Sequence, residues 1–213
     1  MEIQYLGHAC FKIMGKNLSV ITDPFDAKTA GYAPIRQSAD VVTVSHSHYD
    51  HNYVQSVQGD PLVFDSPGEY EAKGAEFRGI LSAHDDSGGS ERGLNTIFVM
   101  DIDGIKICHL GDLGSELSSE QLEQVDGIDI LLIPVGGTYT IDAKAAANIV
   151  SEIEPGIAIP MHYGTKEGKV GSGKLDGIDK FLHEMGVTPE KKERLKITKN
   201  DLPEEPEVVV LKY

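Results

Sequence analysis

The run Val41-Val42-Thr43-Val44-Ser45-His46-Ser47-His48-Tyr49-Asp50-His51 changes character at its midpoint. Val41 to Ser45 is nearly all apolar, the pattern of a strand buried on both faces. It then ends in three histidines and an aspartate spaced H-x-H-x-D-H. Residues two apart along extended backbone point the same way, so His46 and His48 can converge on one cation. Asp50 and His51 lie past the bend and turn toward another. A His-rich loop can be merely polar and solvated, but only eight histidines are spread over 213 residues and three of them cluster here. The spacing therefore reads as a two-metal signature at the end of a buried strand.

Outward from this point, the first half of the chain alternates short strands with turns. Met1 to Leu6, Ala9 to Met14 and Leu18 to Thr22 read as strands, with Gly15-Lys16-Asn17 as a turn and Asp23-Pro24 closing the third. Pro61 to Asp65 is a further strand, Ser66 to Glu71 is turn-rich, and Ala75 to Ala83 is a strand running into the loop His84 to Ser90. Thr96 to Ile102 and Ile105 to Leu110 form a hairpin about Asp103-Gly104, a strong short turn signal.

Helices enter after that hairpin. Ser118-Ser119-Glu120-Gln121 resembles a capping box opening a helix to about Val125, and Asp142 caps an amphipathic helix that Pro155-Gly156 stops. A third helix is predicted from about Asp176 to Met185, with strands at Ile128 to Val135, Ile157 to Pro160 and Val208 to Tyr213. The alternation predicts an α/β chain whose parallel strands are joined by crossover helices. No linker divides it, so residues 1–213 are expected to form one domain.

Every other candidate ligand stands just beyond the C-terminal end of a predicted strand: His84, Asp112 and His162, each after its own. That edge is where α/β sheets place their sites. For the third ligand of the first metal His84 competes with His109, which shares a strand face with Ile105 and Ile107 and would otherwise be a buried or supporting histidine. His8 is read as structural or as lining the pocket. Asp23 is either a turn initiator or a carboxylate orienting a ligating imidazole. His183 is an ordinary helix residue. Gly136 to Thr140 suits anion binding before a helix, a plain strand-to-helix turn explaining it nearly as well, and Lys166 to Lys174 reads as a flexible surface loop near the site.

Thirty-four acidic residues against nineteen basic ones give a net charge of -15, and no Lys/Arg-rich run exists to offset it. The densest basic stretch, Lys191 to Lys196, is interleaved with acid and reads as solvated surface. Nucleic acid is thus an unfavoured substrate and a small molecule the expected one. No apolar stretch approaches the roughly 18 residues that span a bilayer, and the N-terminus has no signal pattern, so no membrane partner and a cytoplasmic location are expected. Cys10 and Cys108 sit in apolar runs and read as inert buried thiols.

Taken together, His46-Ser47-His48-Tyr49-Asp50-His51, His84, Gly111-Asp112 and Pro160-Met161-His162 resemble the metallo-β-lactamase superfamily in order and separation across essentially the whole chain. Gly7-His8-Ala9-Cys10-Phe11, Thr22-Asp23-Pro24-Phe25 and Gly68-Glu69-Tyr70-Glu71 look like its small, undecorated metal-dependent hydrolases, which include the L-ascorbate-6-phosphate lactonase type. The resemblance implies an αβ/βα four-layer sandwich: two mixed sheets back to back, outer helices, and a dinuclear centre at the edge between the sheets. It also implies that His46, His48 and His84 hold one metal, that Asp50, His51 and His162 hold the other, and that Asp112 bridges both.

The chemistry agrees with that implication. Two dications close together need anionic ligands, which Asp50 and Asp112 supply, and a metal-bound hydroxide formed near neutral pH would serve as nucleophile. Asp50 could also relay a proton. The expectation is a hydrolase with two divalent ions, zinc foremost and manganese or iron open, acting on a small anionic ester, lactone or phosphodiester. Its rivals are a nuclease of the same superfamily, a non-catalytic metal-binding module, and an iron-dependent oxidoreductase; diiron proteins of that last kind typically carry glutamate where this chain has His48.

Overall fold

Alternation at period two decides which side of each strand is covered, and it sorts the apolar residues of the first half into two groups. In the computed structural model, which describes residues 1–171 and 173–213, these belong to a first sheet of β1 (Glu2–Gly7), β2 (Cys10–Met14), β3 (Ser19–Thr22), β4 (Val41–Thr43) and β5 (Leu62–Phe64), with the short helix α1 (Ala27–Ala30) between β3 and β4. Phe11, Ile13, Val20 and Val41 face the core shared with the second sheet. Cys10, Ile21 and Val42 face the other way, under Phe25, Tyr32, Ile35 and Val57. On that side the four-residue α1 stands in for a full helical layer.

The second sheet follows from β6 (Gly68–Ala72), β7 (Ala75–Ala83), β8 (Leu94–Ile102), β9 (Ile105–His109), β10 (Ile130–Pro134) and β11 (Ile157–Met161). The crossovers carry α2 (Ser119–Gln124) and α3 (Ala143–Ile153). Strand β10 is buried throughout, between the shared core and Ala146, Ile149 and Val150 of α3. The chain closes with α4 (Ile178–Glu184) and four two-residue strands: β12 (Lys191–Lys192), β13 (Leu195–Lys196), β14 (Glu207–Val208) and β15 (Val210–Leu211). Their orders are β13-β1-β2-β3-β4-β5 and β14-β11-β10-β9-β8-β7-β6, with β12 and β15 paired separately. Both sheets are mixed, antiparallel through their hairpins and parallel where a crossover intervenes. This is the αβ/βα sandwich expected from the resemblance.

Local signals act as read. Asp103 and Gly104 both have positive φ (57° and 77°), the requirement of a type I′ hairpin, and pair Ile102 with Ile105. Ser118 and Gln121 form the reciprocal capping box of α2, and the Asp142 side chain accepts from Ala145 N at the start of α3. That carboxylate occupies the α3 N-terminus, so Gly136 to Thr140 serves as the strand-to-helix turn.

Three segments differ from the sequence reading. Gly68–Ala72 is a strand, not a turn, pairing Gly68 with Gly79 through Ala72 with Ala75 around Lys73-Gly74. Lys73 and Gly74 take the same left-handed pair of conformations (φ 50° and 80°), which a Lys-Gly sequence advertises weakly. Lys191 to Lys196 is not plain solvated surface: Leu195 is buried and pairs with Ile3, extending the first sheet. Val208 to Tyr213 is likewise not one strand, because Glu207–Val208 joins the second sheet and Val210–Leu211 turns to β12. Of the Lys166 to Lys174 loop all but Ser172 lies in the described residues; Lys169 N donates to Ala30 O at 2.8 Å and ties the loop to α1. Among the described residues no helix is long and apolar enough to cross a membrane.

Candidate metal centre

Strand ends of both sheets meet at one edge. From the first sheet come the turn after β1, which carries His8, the Asp23 corner after β3, and the loop after β4 with His46, His48, Asp50 and His51. From the second come His84 after β7, Asp112 after β9 and His162 after β11. His46, His48 and His84 place ligand atoms within 4.8 Å of one another, and so do His8, His51 and His162. His109 joins neither group. Its Nε2 donates to Ala9 O at 2.8 Å and its Nδ1 accepts from Gly111 N at 3.1 Å, so both nitrogens are used inside the sandwich.

Asp112 stands between the two groups. Its Oδ2 lies 3.1 Å from His162 Nε2, 3.3 Å from His51 Nε2, 3.3 Å from His84 Nε2 and 3.9 Å from His46 Nε2. Burial pushes its carboxyl toward the neutral form, but His162 and His51 outweigh that and hold it well below the usual carboxylate range. Asp112 Oδ1 is buried with no hydrogen-bond partner among the described residues. An orphaned carboxylate oxygen amid imidazole nitrogens is the donor set that a hard or borderline dication satisfies.

The backbone around Asp112 leaves no choice of residue. Gly111 has φ 58°, and a Cβ there would lie 2.3 Å from Asn95 Oδ1 and 2.6 Å from Ser45 Cβ. Asn95 Oδ1 accepts from Asp112 N at 2.9 Å while its amide donates to Ser82 Oγ and Leu110 O. His8, Asp23 and His162 are themselves left-handed at φ 57°, 39° and 51°. Strained non-glycine residues gather at sites whose surroundings over-determine them. His8 O receives two of the restraining bonds, from His162 N and Tyr5 OH, both 2.8 Å.

Asp23 organises the imidazoles from behind. Its Oδ2 accepts from His51 Nδ1 at 2.9 Å and from Ser45 Oγ at 2.6 Å, while Oδ1 accepts from Ser45 N at 2.7 Å. Ser45 Oγ in turn lies 2.9 Å from His46 Nδ1 and can accept its proton. Both rings thereby direct Nδ1–H at these acceptors and Nε2 toward the centre, where a bound cation would take the Nε2 lone pair. The part played by Ser45 was not read from the sequence, where it appeared only as the last residue of a strand.

His8 is more central than a pocket edge. Its Nε2 is 3.1 Å from Asp50 Oδ2 and 3.1 Å from His51 Nε2. Burial, reinforced by His162, lowers its pKa to about 4, and burial lowers that of His46 to about 3, so both rings are neutral near pH 7. Asp50 is held below the usual carboxylate range because the His8 hydrogen bond and the His51 charge together outweigh its burial. His48, Asp50, His84, Asp112 and His162 all contribute to one cavity of about 330 Å³. A larger groove of about 630 Å³ crosses β6 to β8 between Glu69, Arg78 and Asp101 and contains none of these histidines.

A family model described as a beta-lactamase superfamily domain matches residues 2–162. The chain belongs to the metallo-β-lactamase superfamily. Within it, a Thermotoga maritima crystal structure assigned to the Zn-dependent hydrolases is 38% identical, with a TM-score of 0.81 over 99% of this chain and 97% of that one. UPF0173 metal-dependent hydrolases of Thermoplasma acidophilum and Thermococcus onnurineus are 34% and 30% identical, each over 78% of this chain and 84% and 85% of their own lengths. The superfamily member described here is accordingly grouped with metal-dependent hydrolases.

Proposed function

We propose that this protein hydrolyses a small anionic ester, lactone or phosphodiester at a centre of two divalent cations, zinc foremost. His46, His48 and His84 would hold one ion, Asp50, His51 and His162 the other, and Asp112 both. The observation that carries the reading is the position of Asp112 Oδ2, at 3.1 to 3.3 Å from imidazoles of both groups. When bound, the cations supply Lewis acidity and a water activated near neutral pH.

The protein's own groups do the rest. Asp112 and Asp50 offset the positive charge, and Asp23 fixes the tautomers of His46 and His51. Asp50, hydrogen-bonded by His8 and facing the cavity, is placed to accept a proton from the attacking water. No serine or cysteine nucleophile is needed. A cavity of about 330 Å³ sits at the small end of ligand pockets, which favours a metabolite over a polymer.

The test pairs elemental analysis of the purified protein with turnover of chromogenic phosphodiesters, esters and lactones beside single-stranded RNA and DNA at low salt. The proposal expects two metals per chain and turnover confined to small substrates. Polymer cleavage that Asp50→Ala abolishes would transfer the protein to the nucleases of the superfamily, and no more than trace metal after reconstitution would remove the centre altogether.

A further inference from the structure

Asp85, next to His84, folds the loop that follows β7. Its Oδ1 accepts from Ser87 N and Gly89 N at 2.9 and 2.8 Å, and its Oδ2 from Glu91 N and Arg92 N at 3.0 and 2.7 Å. Burial opposes ionisation, yet these four N–H groups, Arg92 foremost, hold the carboxyl down at about 2. One side chain thus fixes the backbone from residue 87 to residue 92, and Arg92 is where that frame ends.

The Arg92 side chain is half-buried and lines the same cavity as His48, Asp50, His84, Asp112 and His162. Its guanidinium carbon lies 5.8 Å from the centre of the Tyr139 ring, within cation–π range. It has no ion-pair or side-chain hydrogen-bond partner among the described residues. Arg194, by contrast, is bound to Glu2 at 2.6 Å, and Arg78 donates to Gln124 O. In a chain of net charge -15 acidic partners are plentiful, so a guanidinium kept free and steadied on an aromatic face inside the cavity is poised for something that enters it. A planar fork of N–H donors matches a carboxylate or phosphate.

We propose that Arg92, carried on the Asp85 frame and steadied by Tyr139, receives a terminal oxyanion of the substrate while the reacting bond lies at the metal centre. Arg92 is then a specificity-determining residue and Asp85 a positioning residue that acts through it. The inference rests on the metal-centre reading above and adds which end of the substrate is charged and what recognises it.

Binding separates the two claims. The probes are hydroxamic acids that chelate zinc, matched in length, one ending in a methyl group, one in a carboxylate and one in a phosphonate, titrated calorimetrically into zinc-loaded protein. In the native chain the charged tails should bind about tenfold or more tighter than the methyl tail, the worth of one charge-assisted pair. Arg92→Ala should bring that ratio near one, Arg92→Lys should keep part of it, and Arg92→Glu should invert it. Asp85→Asn should shrink the ratio at unchanged zinc content. A native ratio near one, or a ratio that Arg92→Ala leaves intact, overturns the proposal; an intact ratio in Asp85→Asn overturns the positioning role. The carboxylate and phosphonate arms decide which oxyanion is preferred. An Arg92-dependent ratio in a protein that hydrolyses nothing leaves this inference standing and removes the hydrolysis reading, whereas turnover without any such ratio does the reverse.

Discussion

In the group of His8, His51 and His162 every side chain is buried, whereas the group of His46, His48 and His84 includes His48, which stands exposed. The buried group also contains two of the left-handed residues and the direct bond from His51 to Asp23. Its partner group is steadied at His46 through Ser45, and His48 contacts His46 Nε2 through Nδ1 at 3.1 Å. Asp50, proposed as a ligand beside His51 and His162, is buried too, so one half of the proposed centre is framed from within the sandwich and the other is completed from the solvent side. Preorganised ligands lose less freedom on binding, so the halves should differ in grip.

Asp112→Ala removes the atom that joins them and should have the largest effect. On the two-cation proposal, poorly compensated dications should not both remain, and hydrolysis should fall about a thousandfold or more while helix content is kept. Elemental analysis and circular dichroism of the variant check this; two retained metals with full activity would break the comparison at its centre. Asp23→Asn comes next, because it loosens His51 directly and His46 through Ser45. Metal affinity should drop by roughly 10- to 100-fold, read by competition against a chromogenic chelator.

The unequal halves predict two phases when a chelator strips the loaded protein, with the ion of the exposed group leaving first. His48→Ala should delete the fast phase and leave about one metal per chain; a single phase in the native protein would mean that the halves are equivalent. The smallest effect concerns the metal-free chain. His8 and His46 have pKa values lowered to about 4 and about 3 from 6.5, and His84 and His109 are lowered as well, burial being the largest cause in each. Such groups bind protons more readily when unfolded, so stability is complete above about pH 6.5 and declines as pH falls toward 4. His51 is shifted upward and opposes the trend, because Asp112 and Asp23 outweigh its burial. The urea midpoint of the metal-free protein should thus decrease from pH 7 to pH 5, and an increase would show that His51 dominates.

Much of the proposed centre was legible because its candidate ligands sit where hydrophobic runs stop, a pattern that survives without knowledge of tertiary contacts. The run Val41 to His51 displays it most plainly. His8 was legible only as a residue at a strand edge, since what brings it to Asp50 is a turn held by His162 N, 154 positions along the chain. Arg92 lay just past the loop His84 to Ser90, in a stretch that received no reading; its placement depends on one carboxylate gathering four amides. Strand β6 was misread because Gly68 and its glutamates carry no alternating pattern, and pairing with β7 supplies the order that propensity withholds. The two-residue strands near the C-terminus are set by the edges they join, which no local window contains.

The strand-end origin of the ligands also has a consequence in time. Chain order delivers His46, His48 and His84 early, while His162 follows His84 by 78 residues. At roughly 5 to 20 residues per second, a growing chain would hold His51 as well as these three, and so all its proposed histidine donors but His162, for roughly 4 to 16 s before that last one is made. A cation captured in that interval would meet nitrogen ligands before strands β8 to β11 of the second sheet are complete. The order of synthesis thus completes the histidines of the solvent-side half before the enclosed half receives His162, the reverse of the order of grip proposed for the finished protein.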